Sequence, residues 1–500
     1  SEDCLYLNIF APKFANGKVP AGDDRLPVMV YIHGGGNVAG YANQFKYSGR
    51  NLANNHDVIV VNFNYRLGLF GWLSHPSLNH DGSLEDKSGN FGILDSVAAL
   101  EWVQNNIEAF GGDPTNVTLF GESAGGINIF AILASQQGEG LFHKAIIQSG
   151  LPISTPMDQA TNYIEDSGHL NSGREITNQL LIADATAASR QEAISHQNQM
   201  SDAEISRYLL GKSANEVLML LGTDGMPSMP MIFRDGTVVP REDLMEVFSD
   251  AANYNSVPII IGTNRDEFKP FFAGDSSLVE LQMGFLPKII NEAYFHAVTS
   301  YFNDAWKARG VDEVSMRLAK SQADPVFAYR FDWDELPTIL GVDLSKLIGA
   351  VHASEIPFVF ESFDDRLMNW VLFSDENIPS RTELSRKMSS YWAEFAYSSS
   401  PGRGRDGTQT EWMPWDEKPN QGKFVILDSE RDRGIRMNNE AVTFSVLKRR
   451  LLQDTAFPNT AAKGKIYDCL FRDSKYWDEE EFVSLGGKTC EIPIFQFLRL

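Results

Sequence analysis

The stretch Val117-Thr118-Leu119-Phe120-Gly121-Glu122-Ser123-Ala124-Gly125-Gly126 constrains the fold more than any other part of the chain. Its first four residues read as a short buried strand, and Ile127 to Leu133 continues with a helical pattern. A strand that runs through G-x-S-x-G into a helix needs a sharp, strained turn, with the serine lifted above the sheet edge. The helix aims its free N–H groups at whatever that serine meets. The motif alone is weak, because Gly and Ser are common in turns, and the bland reading is a glycine-rich loop with a buried serine. The strand before it and the helix after it make Ser123 a candidate nucleophile.

A second strand, Leu26 to Ile32, ends in His33-Gly34-Gly35-Gly36. Acyl transfer puts negative charge on a former carbonyl oxygen, and fixed backbone N–H groups stabilise it without reorganising. Glycines let the backbone approach with no side chain in the way. The expected donors are Gly35, Gly36 and Ala124. A phosphate loop would need Gly-Lys-Ser/Thr or G-x-G-x-x-G with a later acid, and neither follows. His33 is expected to brace the loop, because the base must sit opposite.

A serine of ordinary acidity needs a base, and the base needs an acid to fix its tautomer. In strand–elbow–helix enzymes the order is Ser, then Asp or Glu, then His. The apolar strand Val257 to Thr263 leads into Asn264-Arg265-Asp266-Glu267-Phe268, which places two acids just past a strand end. His352 lies in a short polar turn, Gly349-Ala350-Val351-His352-Ala353-Ser354-Glu355. With nine histidines in the chain, position alone does not select one. His75, His80, His143, His169, His196 and His296 sit in polar or helical surroundings and read as surface or packing residues.

Ser1-Glu2-Asp3-Cys4-Leu5-Tyr6-Leu7-Asn8, Asn62-Phe63-Asn64-Tyr65-Arg66-Leu67-Gly68 and the run from Gly89 through Ala109-Phe110-Gly111-Gly112-Asp113-Pro114 add to these motifs. Together they resemble the type-B carboxylesterase and cholinesterase family, over most of the chain. The resemblance implies an α/β-hydrolase fold: a central, mostly parallel sheet flanked by helices, in one domain over 1–500. It implies a serine carboxylic-ester hydrolase working through an acyl-serine on small to medium esters. The acid of its D-E-G motif falls on Glu267, and the histidine of H-G-x-E-x-P-F falls on His352. Asp266 then becomes a structural partner for an Arg such as Arg265 or Arg66. Other readings are a lipase, amidase or cholinesterase with the same triad, or a non-catalytic binding or adhesion relative.

Three departures bear on the pocket. Asn37 stands where relatives carry an aromatic, Phe268 replaces the glycine after the acid, and Ala353-Ser354 follow the histidine. The candidate pocket residues are Asn37, Glu122, Met231 and Phe358. Met231 closes Gly225-Met226-Pro227-Ser228-Met229-Pro230, an apolar run that reads equally as pocket lining or packed loop. The polar helical stretch from about 154 to 234 is expected as an insertion over the active site. The S-E-D-C-L signature at the first residue implies a chain lacking the family's N-terminal segment, an internal fragment or incomplete gene product.

At 500 residues and 43% hydrophobic content, one large α/β unit is expected. The net charge of −23 argues against nucleic acid and anionic membranes. No apolar run reaches the roughly 18 residues of a membrane span. Neither C-x-x-C nor H-E-x-x-H occurs, so no metal site is expected, and the mechanism needs no cofactor. The expected partner is a small-molecule ester, and the oligomeric state stays open. Cys469 and Cys490 either close a loop, which would suit a secreted or periplasmic protein, or remain thiols. The resemblance gives Cys4 an upstream partner that this chain lacks. Activity is expected to fall as His352 protonates, near pH ~6.5 for an unshifted imidazole.

Overall fold

In the computed structural model the described residues are 3–14, 17–78, 82–220, 231–363, 372–416, 418 and 422–490. Nine strands form the central sheet: β1 Leu7–Phe10, β2 Leu26–Ile32, β3 Ile59–Phe63, β4 Gly112–Glu122, β5 Lys144–Gln148, β6 Ile259–Asn264, β7 Val326–Phe331, β8 Phe424–Leu427 and β9 Arg436–Asn438. Their order is β1-β3-β2-β4-β5-β6-β7-β8-β9. Every pair from β3 to β8 is parallel, and only the edge pairs β1–β3 and β8–β9 are antiparallel. The inner strands β3, β5 and β6 are buried at every position. Helices cover both faces of such a sheet, so these strands read as continuous apolar runs.

Helix α1 (Phe91–Asn106) precedes β4, and α2 (Ala124–Ala134) follows it. Ile93, Val97 and Leu100 of α1 and the following Ile107 form the expected core stripe. Helices α3 (Glu292–Lys307) and α4 (Ile378–Ser398) come later, and Leu384, Met388, Trp392 and Phe395 of α4 are buried. Between β5 and β6 the chain makes a long excursion with five helices, from Met157 to Leu220. It leaves and returns at one point, where Thr155 and Phe233 form a parallel bridge. Asn90 holds that point by donating from Nδ2 to the Phe233 carbonyl and accepting the Phe233 N–H on Oδ1.

The C-terminal layer is closed by a disulfide between Cys469 and Cys490, and Cys4 is a free thiol. Helix α3 runs into a π-helical turn, Ala308–Asp312. There Lys307 Nζ lies 2.5 Å from Asp312 Oδ2, with both side chains buried. The ammonium also sits 4.1 Å from the centre of the Phe424 ring, and Asp312 Oδ2 accepts the Val442 N–H. A buried charge that loses its partner is expensive. Lys307→Met is therefore predicted to cost about 3–5 kcal/mol in urea unfolding. A cost under ~1 kcal/mol would show that Asp312 does not depend on this pair.

Candidate active site

Parallel strands deliver their carboxyl ends to one edge of the sheet, where ligands bind in folds of this type. Here β2 leads into His33-Gly34, β4 into Ser123, β5 into Ser149 and β6 into Arg265-Asp266-Glu267. Ser123 has φ 57° and ψ −120°, a strained conformation for a non-glycine residue, and it caps α2. Its N–H donates to the Gln148 carbonyl at the end of β5. A Cβ at Gly125 would lie 2.0 Å from the Ile32 carbonyl oxygen, and one at Gly34 2.8 Å from the Glu122 carbonyl oxygen. The elbow thus packs backbone on backbone against the end of β2, which requires glycine at those two places.

The loop after β2 is held from behind. The buried His33 has Nδ1 2.8 Å from the Gly34 carbonyl, and its ring stacks on Tyr65 at 4.5 Å. Burial lowers its pKa to about 4, so it is neutral and braces the loop. The N–H groups of Gly35, Gly36 and Ala124 make no hydrogen bond among the described residues. They stand at the loop and at the start of α2, beside Ser123.

Glu267 is buried and its carboxylate is densely bonded. Oε1 accepts from Ser149 Oγ (2.6 Å), Thr263 Oγ1 (2.6 Å) and the Asn264 N–H (2.7 Å). Oε2 pairs with His352 Nδ1. Burial alone would raise its pKa, but the imidazole charge and the donated hydrogen bonds outweigh it and hold the acid below the usual range. An ionised Glu267 assigns the Nδ1 proton to His352.

The histidine turn is docked on the exit of β6. Asp266 N–H donates to the Ala350 carbonyl, and Ala350 N–H returns to Asp266 Oδ2, each at 3.0 Å. Asn264 Nδ2 donates to the Val351 carbonyl and to Glu355 Oε2, both at 2.7 Å. Asp266 pairs with Arg265 and Lys269, whereas Arg66 pairs with Asp95. Gly349 has φ +60°, and a Cβ there would sit 2.2 Å from Asp266 Oδ2.

The imidazole is 26% exposed, and its Nε2 lies 3.2 Å from Glu122 Oε1, without hydrogen-bond alignment. Three buried carboxyls, Glu122, Glu267 and Glu355, surround it. Burial works against charge on the ring, but Glu122 and Glu267 dominate and raise its pKa well above 6.5. The carboxyl of Glu122 is itself pushed up to about 8, mainly by burial, with the His352 charge opposing. The expected acid limb near pH ~6.5 therefore does not apply to the free site. The sequence did not point to Glu122 as a partner of the imidazole, although it immediately precedes the serine. Ser149 and Thr263 were also missed; each stands next to a strand end facing the acid.

The candidate pocket residues divide. Glu122 is at the imidazole, and Asn37 and Phe358 are fully buried. Asn37 forms a reciprocal amide pair with Asn128 of α2, two bonds of 3.0 Å. Phe358 lies in an aromatic cluster with Phe331, Trp333, Phe363 and Phe373. The amide pair offsets the burial of the Asn37 side chain, and the ring cluster covers Phe358. Met231 is half-buried, with its N–H and carbonyl both bonded to Thr155 Oγ1. The preceding residues 225–230 lie outside the described residues. No group of three or more His, Cys, Asp or Glu suited to a metal ion occurs among the described residues.

The sheet order and the glycine elbow above its carboxyl edge define an α/β-hydrolase fold. A profile of the Carboxylesterase family matches residues 1–299 and 281–445, and the chain belongs to that family. It is 33% identical to the para-nitrobenzyl esterase of Bacillus subtilis (strain 168), over 86% of this chain and 80% of the relative. It is 31% identical to the fumonisin B1 esterase of Sphingopyxis macrogoltabida, over 87% and 74%. A solved PNB esterase superposes with a TM-score of 0.65 at 28% identity, covering 92% of this chain and 84% of that one. The protein is a carboxylesterase.

The electrostatics give a direct test. Glu122→Gln removes the carboxyl 3.2 Å from Nε2, so the imidazole should be less readily charged. Its titration, followed by NMR of the His352 Cε1 proton, is predicted to move to lower pH than in the wild type. An unchanged or higher midpoint would contradict the assignment of Glu122 as its main raising partner.

Proposed function

We propose that this carboxylesterase acts through a Ser123–His352–Glu267 triad and an acyl-serine intermediate. One observation carries the reading: a buried, ionised Glu267 fixes the Nδ1 proton of an imidazole whose Nε2 lies 3.2 Å from Glu122, the residue just before a serine in a strained elbow. His352 first gives its Nε2 proton to the Glu122 carboxylate 3.2 Å away; the neutral ring then turns Nε2 to the Ser123 hydroxyl and takes its proton as Oγ attacks the ester carbonyl. The oxyanion forms facing the N–H groups of Gly35, Gly36 and Ala124. The imidazolium, stabilised by Glu267, then protonates the departing alcohol, leaving an ester on Ser123. A water that gives a proton to the same Nε2 attacks this ester. Collapse releases the carboxylic acid and returns the proton to Ser123.

The substrates we propose are small to medium neutral carboxylic esters, with benzyl esters first in view of the para-nitrobenzyl esterase relative. The field of a chain with charge −23 disfavours strongly anionic esters. Ser123→Ala is predicted to lower kcat on nitrophenyl esters by at least about 10³-fold while leaving the unfolding midpoint within error. A fluorophosphonate should label wild-type Ser123 and leave the variant unlabelled. Turnover that survives in a clean Ser123→Ala preparation would sink the proposal.

A further inference from the structure

Glu267 holds the imidazole through one ring atom. That bond and the covalent link through Cβ hold one side of the ring, and the rest of it is supported by packing. Trp306, the penultimate residue of α3, stands there. Its ring centre lies 5.6 Å from that of His352, with the planes at 72°. This edge-to-face arrangement is one that ring quadrupoles favour.

The indole is itself backed. Phe268 packs against it at 5.3 Å and 68°. Phe268 is buried and its N–H donates to Asn303 Oδ1 at 2.8 Å, so α3 grips the residue directly after the acid. Phe271 and Phe302 close the stack at 5.6 and 6.4 Å from the Phe268 ring. The helix end is fixed by the Lys307–Asp312 pair, and it packs closely on the loop after β5. A Cβ on Gly310 would lie 2.5 Å from the Gly150 carbonyl oxygen, next to the Ser149 that supports Glu267. Acid, imidazole and indole therefore share one rigid mount.

We propose that Trp306 is a positioning residue for His352: its indole, wedged by Phe268, packs edge-to-face on the imidazole and keeps Nε2 directed at Glu122 and the elbow that follows it. The proposal rests on the triad reading. Phe268 is the position at which this chain departs from the D-E-G pattern, so the wedge is a feature of this sequence rather than of the motif.

The test uses Trp306→Ala, Trp306→Leu and Trp306→Phe in the whole chain, with kcat and KM for p-nitrophenyl acetate. Active sites are titrated with a fluorophosphonate, so that kcat is expressed per reactive site. Trp306→Ala and Trp306→Leu are expected to lose on the order of 10- to 100-fold in kcat per titrated site with KM nearly constant. Trp306→Phe, which keeps a ring at the same place, should recover most of that loss. A purely structural residue would lower the number of titratable sites and leave kcat per site alone. Unchanged kcat per site in both Trp306→Ala and Trp306→Leu, with wild-type Ser123 labelled, overturns the proposal by itself. Equal losses in the Leu and Phe variants do the same. Failure of the wild type to label at Ser123 overturns the triad reading, and this proposal with it.

Discussion

A buried carboxylate is the constraint around which the site is built. Ionised Glu267 has left water, and its stability depends on being met by donors on all sides. Those donors come from three stretches: Ser149 after β5, Thr263 and Asn264 at the end of β6, and His352 from a turn 85 residues further on. Satisfying one charge therefore fixes three segments against each other. The same arrangement fixes a proton on Nδ1, so that Nε2 is the nitrogen the proposed mechanism uses.

The elbow contributes the complementary strain. Ser123 sits in a backbone conformation that costs about 1–3 kcal/mol, and glycine packing around it holds it there. Neither half is sufficient. A lone strained serine has no base, and a lone Glu–His pair has no nucleophile. In the proposed triad the parallel sheet brings the two halves to one edge, because β4, which leads into Ser123, and β6, which leads into Glu267, end on the same side. Around this core the charges are unusually concentrated, with three buried carboxyls near a single imidazole. The proton count of the resting site is thus a property of the cluster and not of one residue.

Much of this could be read in the sequence, for identifiable reasons. The elbow, the triple glycine and the apolar strands are local patterns, and local patterns survive in one dimension. The helix stripes of α1 and α4 follow from a 3.6-residue period and fall on the core as expected. What depends on distant side chains was not legible. Nothing near Asn37 in the sequence shows that its amide pairs with Asn128 across 91 residues. Nothing near Phe358 shows that its partners are rings from β7 and the region before α4. Glu122, Ser149 and Trp306 gave no one-dimensional signal of touching Glu267 or His352.

The central claim is that Glu267 makes His352 a base for Ser123. It is tested most directly by the rate at which a fluorophosphonate acylates Ser123 in Glu267→Gln, measured against the wild type with the labelled peptide mapped. The carboxamide keeps the shape but favours the wrong imidazole tautomer. The account predicts a fall on the order of 10³- to 10⁴-fold in the labelling rate, with the protein still folded. Labelling of Ser123 at the wild-type rate in that variant would contradict it.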